Sequence, residues 1–252
     1  MFLHDALARG LVRYLTAERP AYQRRVPNDA RRLETRLSPG DVVLVEGKTR
    51  ISRVIQVLTQ SSWSHAAMYL GDALLRRGGP QADAALDRFG PEAARLLIES
   101  DIREGVQVLP LSAYLAYNLR VCRPHGLSRP ELDRVLEEML RHLGYRYDQQ
   151  NVFDLGRYLT PFHLLPARFR RRPLYLGSSS SREVICSALI AKAFYKVDYP
   201  VQPELREGRP GRALLARHPS YIMPRDFDLS PNFEVLKFHL PAGRRLSSPD
   251  PA

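Results

Sequence analysis

The sequence predicts an α+β fold: an antiparallel β-sheet or barrel packed against helices, with an N-terminal helical arm. Three observations predict it. Short runs rich in Val, Ile and Leu, bounded by Gly and Pro, recur from Asp41–Glu46 to Phe233–Phe238, which is the pattern of strands. Two of these runs, Arg95–Ile102 and Gly105–Leu109, follow each other closely enough to form a hairpin. Between the strands stand segments whose apolar residues recur at helical spacing, so that each buries one face.

The chain has 252 residues, 44% of them hydrophobic, enough for one large domain or two small ones with a real core. Lys plus Arg number 38 against 27 Asp plus Glu, a net charge of +11. Arginine dominates the excess, as in Arg24-Arg25, Arg31-Arg32 and Arg168–Arg172. That balance suits an anionic partner such as nucleic acid, a phospholipid surface or a cell-wall polymer, and an arginine-rich proteome would produce it equally well. Two cysteines exclude a disulfide scaffold. No run approaches the ~18 apolar residues of a membrane span, and MFLHDALARGLVRYL lacks the charged and apolar regions of a secretory signal. A cytoplasmic protein is expected, with attachment to a membrane surface as an option.

In chain order, Leu3, Leu7, Leu11 and Leu15 mark a short amphipathic helix that docks on its own domain or lies on a membrane. Residues 16–38 are polar and arginine-rich and read as an arm over the surface. Ser38-Pro39-Gly40 turns the chain into the strand Asp41–Glu46. TRISRVIQVLTQ follows as a helix with Ile51, Val54, Ile55 and Leu58 on its apolar face. Trp63–Leu70 is a strand with His65 near its start, ended by Gly71-Asp72. Residues 71–94 read as an irregular insertion with one helical turn, before the hairpin, a short helix Leu111–Tyr117 and a strand Asn118–Arg123.

SRPELDRVLEEMLRHLG carries a complete helix signature. Ser128 caps it, Pro130 and Glu131 fill the first turn, Leu132, Val135, Leu136, Met139 and Leu143 form the stripe, and Gly144 stops it. A helix-like Val152–Leu159 and a basic, serine-rich loop lead to VICSALIAKAF. Residues 200–220 are loop-like, and Phe233–Phe238 alternates as a last strand.

Three residues could carry chemistry. Cys186 stands where Glu183-Val184-Ile185, strand-like, gives way to a helix, and a cysteine in a first helical turn is favoured as thiolate. It could equally be a small buried hydrophobe. His65 could serve as its base or as a satisfied core residue. Glu99 and Asp101 share one strand face, so either could orient an imidazole, or both could be solvated. Cys122, without a helix start beside it, reads as structural. GxGxxG, P-loop, CxxC, HExxH and GxSxG patterns are absent, so no cofactor and no metal are expected.

The run SPGDVVLVEGKTRISRVIQVLTQSSWSHAAMYLGD resembles the opening of the YiiX/YebB-like cysteine hydrolases, a permuted papain-like branch of the NlpC superfamily. LIESDIREGVQVLPLSAYL, GYRYDQQNVFDL, VICSALIAKAF and IMPRDFDLSPNFEVL match later blocks in the same order, over roughly residues 37–238. The resemblance implies a circularly permuted papain-like (NlpC-type) fold in which the histidine precedes the cysteine. It places the hydrolase domain over 37–240; the amphipathic helix and basic arm over 1–36 precede it, and a tail expected to be disordered over 241–252 follows. It further implies Cys186 as nucleophile, His65 as general base and acid, Glu99 as orienter with Asp101 as rival, and Tyr147 facing the substrate.

The function this implies is a cysteine hydrolase that cleaves amide bonds, of peptide or cell-wall type, through a thioester acyl-enzyme. An acyl hydrolase or acyltransferase working on lipids at an anionic membrane surface is the second reading. A non-catalytic basic binding module is the third, and no nucleic-acid partner is expected, since aromatic–basic interleaving is lacking. The oligomeric state is open.

Overall fold

The computed structural model describes residues 10, 13, 14, 16–20, 22–25, 27–101, 104–145, 186–205 and 214–237. The N-terminal leucine stripe, Tyr147, Arg168–Arg172, the strand-like Glu183–Ile185 and the tail 241–252 lie outside the described residues.

Six strands make one antiparallel sheet: β1 (Val42–Glu46), β2 (His65–Gly71), β3 (Leu96–Asp101), β4 (Gly105–Pro110), β5 (Asn118–Pro124) and β8 (Phe233–Leu236). Their spatial order is β4-β3-β2-β1-β5-β8. Each strand pairs antiparallel with its neighbour, Val42 facing Met68 on one side and Cys122 on the other. Helices pack with the sheet, so the fold is α+β, and among the described residues the sheet is open.

Both faces of the sheet are covered, which is why Val42, Val43, Leu44 and Val45 are all buried. Alternation sends Val42, Leu44, Ala66, Met68, Ile98 and Cys122 into one core. Val43, Val45, Ala67, Tyr69, Leu97 and Val121 enter the other. The first core is closed by α5 (Arg129–Arg141) and α6 (Cys186–Tyr195), through Val135, Leu136, Met139, Leu189, Ile190 and Phe194. The second is closed by Leu33, Leu37, Leu111 and Tyr114.

The turn into β1 forms as its residues suggest: Gly40 has φ +94°, a conformation that costs glycine little, and a Cβ there would run into Leu132. The cap of α5 also forms, with the Glu131 carboxylate accepting from the Ser128 N–H at 2.8 Å and its hydroxyl at 2.6 Å.

Elsewhere tertiary packing departs from the sequence pattern. The arm contains α1 (Ala30–Arg36), capped by Asp29, whose Leu33 is buried. Farther back, Asn28 donates to the carbonyls of Leu115 and Tyr117 at 2.9 and 2.6 Å, fastening the arm beside β5. In α2 (Arg50–Thr59) the buried residues are Ile51, Ser52, Gln56 and Thr59, while Leu58 is 53% exposed. Polar side chains can line that inner face because each finds a partner: Ser52 with Thr49, Gln56 with the Ser62 carbonyl, Thr59 with the Ile55 carbonyl.

Residues 71–94 hold more helix than one turn: α3 (Ala73–Arg77), α4 (Pro80–Phe89) and a 3-10 turn Gly90–Ala94. Alanines 82 and 85 supply the buried face of α4, a stripe too small to stand out by hydropathy. The loop-like 200–220 region includes a two-stranded pair, β6 (Pro203–Leu205) with β7 (Leu214–Ala216). The predicted helix after the hairpin is a 3-10 turn, Leu111–Tyr114, and a short α7 (Pro224–Asp228) precedes β8.

Candidate active site

β2 and β3 part at one end, and the site lies there. Their paired register runs from Met68–Ile98 to Gly71–Leu96 and stops short of His65 and Glu99. Continued, that register would set Ala67 against Glu99. The methyl of Ala67 leaves room for the longer acid to lean along the strand. Its Oε2 meets Nε2 of His65, two residues earlier on the same face, at 2.6 Å.

The parting of the strands also frees backbone. Tyr69 gives its N–H to the Asp41 carbonyl on the β1 side. Alternation therefore turns the Ala66 N–H toward the β3 side, where no paired residue meets it. Cys186, the first residue of α6, takes that place: the N–H groups of Ala66 and Ser187 donate to its sulfur. The Cys186 side chain hydrogen-bonds the His65 ring. With Nε2 on Glu99, Nδ1 is the ring nitrogen left for the sulfur.

Burial alone would push the Cys186 thiol up. The His65 charge, the hydrogen bond to its ring and the two backbone donors outweigh it, so the thiol is held below its ordinary value. Burial alone would lower His65; the charges and hydrogen bonds of Cys186 and Glu99 raise it well above the usual range. Both shifts run in the direction that favours a thiolate–imidazolium pair.

Glu99 is 7% exposed, and burial would drive it toward the neutral acid. The His65 charge and hydrogen bonds from His65, Tyr114 and Gln107 hold it at about 2 instead. The Tyr114 hydroxyl donates to Oε2 at 2.6 Å, and Gln107 Nε2 donates to Oε1 at 3.0 Å. Asp101, on the same face, has its Oδ1 occupied by the Glu104 N–H at 3.2 Å, in the turn to β4.

A second cluster flanks the entry to β2. Trp63 donates to Asp228 Oδ2 at 3.2 Å. Arg120 holds both Asp228 oxygens, at 2.6 and 2.7 Å, and lies over the Trp63 ring at 5.1 Å. Gly47 donates to Ser64 Oγ at 3.0 Å from below. These contacts fix the chain on which His65 stands.

The structure thus brings Cys186, His65 and Glu99 together and leaves Asp101 in its turn. Sequence reasoning misses Gln107 and Tyr114. Gln107 has a signal, since the hairpin register places it opposite Glu99. Tyr114 has none, because a 3-10 turn delivers it. Cys122 is fully buried, and burial with the Asp228 charge pushes its thiol to about 12. Among the described residues no group of three or more His, Cys, Asp or Glu side chains could hold a metal ion, and no helix is long and apolar enough to cross a membrane.

Residues 36–158 match the model of a family described as permuted papain-like amidase enzyme, YaeF/YiiX, C92 family. That stretch contains His65, Glu99, Gln107 and Tyr114 and ends before Cys186. A solved structure, the crystal structure of metalloprotein yiiX from Escherichia coli O157:H7, is similar to this chain at 16% identity, covering 81% of this chain and 98% of that one with a TM-score of 0.49. No curated protein matches the chain.

Proposed function

From a chain that is YiiX-like and permuted papain-like, an amidase family, we propose a thiol-dependent amidase that acts through Cys186, His65 and Glu99. One observation carries it: a cysteine at a helix start shares hydrogen bonds with a histidine whose other nitrogen lies 2.6 Å from a buried carboxylate. Nucleophile, base and orienter are the three parts that thiol acyl transfer needs.

The steps start from the resting ion pair. The Cys186 thiolate attacks the amide carbonyl carbon, forming the C–S bond and moving the π pair onto oxygen. Backbone N–H groups at the start of α6 stabilise that oxyanion. The imidazolium of His65 gives its proton to the amide nitrogen as the C–N bond breaks, releasing an amine and leaving a thioester. His65, now neutral, takes a proton from water, which attacks the thioester. The acid leaves and the thiolate–imidazolium pair returns. Glu99 holds the ring through both charge states.

The test is intact-mass trapping of the acyl-enzyme after mixing the full chain with peptide, cell-wall amide and phospholipid substrates, with Cys186→Ala as control. An adduct on Cys186 from an amide substrate supports the proposal. An adduct from the phospholipid alone would move the chain to lipid acyl chemistry. No adduct from any, with Cys186 unreactive to iodoacetamide, would sink it.

A further inference from the structure

A carboxylate that orients a histidine faces a difficulty when that histidine changes charge during amide cleavage. While His65 is imidazolium, Glu99 has a counter-charge. Once His65 has given its proton to the leaving amine, Glu99 is a carboxylate with a side chain only 9% exposed and, among the described residues, no other cation paired with it. Burial then favours uptake of a proton. A neutral glutamic acid would offer its own hydrogen to Nε2 and reverse the tautomer that aims Nδ1 at the sulfur.

Two uncharged donors stand against that. The Tyr114 hydroxyl is 2.6 Å from Oε2, the same oxygen that binds His65, and Gln107 Nε2 is 3.0 Å from Oε1. Tyr114 is 4% exposed and packed in the core beneath the site with Leu97, Leu111 and Val121. Its ring cannot swing away, and burial together with the Glu99 charge makes its own ionisation harder, so it remains a donor throughout. Gln107, paired directly across from Glu99 on β4, fixes the second oxygen and with it the rotation of the carboxylate plane.

We propose that Tyr114, with Gln107, is a positioning residue of this site, a role that rests on the thiol-amidase reading of Cys186 and His65. The two keep Glu99 ionised and in one orientation while His65 changes charge. The role depends on the hydroxyl and not on the ring. Tyr114→Phe keeps the packing and removes the donor, so it separates the two.

The experiment follows alkylation of Cys186 by iodoacetamide against pH, by intact mass, in the full-length wild type, Tyr114→Phe, Glu99→Gln and the double variant, with thermal unfolding as a check on folding. Loss of one hydrogen bond to a charged group should move the acid limb of the Tyr114→Phe profile up by about one pH unit. Gln107→Leu should move it the same way. In the Glu99→Gln background Tyr114→Phe should add nothing, because the group it serves is gone. An unmoved limb in Tyr114→Phe, or an equal shift in both backgrounds, would overturn the proposal while leaving the thiol reading intact. If wild-type Cys186 reacts no faster than Cys122, the thiol reading itself falls, and the positioning role with it.

Discussion

His65 and Glu99 are bonded diagonally, 2.6 Å from Nε2 to Oε2, across two strands whose paired register stops three residues beyond His65. The small side chain of Ala67, between them on the same face, makes that diagonal passable. The same parting of the strands turns the Ala66 N–H toward Cys186. One irregularity in the sheet therefore builds both halves of the site.

Replacing Glu99 by Gln keeps the shape and removes the charge. The amide can bond Nε2 but does not stabilise an imidazolium. Turnover of an amide substrate should fall by roughly a hundredfold to ten-thousandfold, read as kcat, with the circular dichroism spectrum unchanged.

The two thiols should behave in opposite ways. Cys186 is lowered by its His65 partner, so iodoacetamide should label it stoichiometrically at neutral pH. Cys122 is raised to about 12 and lies fully buried, so it should remain unlabelled until the protein unfolds. Equal, slow labelling of both in native protein would contradict the assignment.

Stability should carry the mark of Glu99. Its folded value, about 2, is below the ordinary 4.5, so its contribution is fully present above the unfolded value and is lost as pH falls toward 2. That contribution is at most about 3 kcal/mol. Urea midpoints between pH 6 and 2 should fall more steeply for the wild type than for Glu99→Gln, and the two curves should converge at the acid end. His65 acts in the opposite sense: its folded value is raised, so its share is present at low pH and disappears as pH rises through that value.

Asp41 opens β1 with a side chain 2% exposed, gripped by Arg123 at 2.8 and 2.7 Å and by the Ser38 N–H at 2.8 Å. Asp41→Ala would leave the Ser38 N–H without its acceptor and strip the Arg123 guanidinium of its counter-charge, leaving it only the Arg36 carbonyl and the Ser38 hydroxyl. Stability should drop by about 2–4 kcal/mol in chemical denaturation.

Gly47→Ala would drive a Cβ into Ser52 Oγ and against Ser64 Oγ. Ser64 precedes His65, so the strain should reach the site. A loss of about 1–3 kcal/mol is expected, together with slower alkylation of Cys186 at pH 7.

By itself the sequence determined the strand Asp41–Glu46, the capped helix at Ser128, the turn at Gly40, and the identities of His65, Glu99 and Cys186 as candidates. Those are local matters of periodicity, cap chemistry and backbone conformation, carried by neighbouring residues. It did not reveal which face of α2 is buried, since Ser52, Gln56 and Thr59 go inward only because nearby backbone and side chains supply their partners. Nor could it separate Glu99 from Asp101, which alternate identically on one strand. The tertiary structure separates them by distance: where β2 and β3 part, Glu99 reaches His65 and collects Tyr114 and Gln107, while Asp101, two pairs farther along, closes the turn to Glu104. Partnership across strands depends on register and twist, and those arise only when the sheet is assembled.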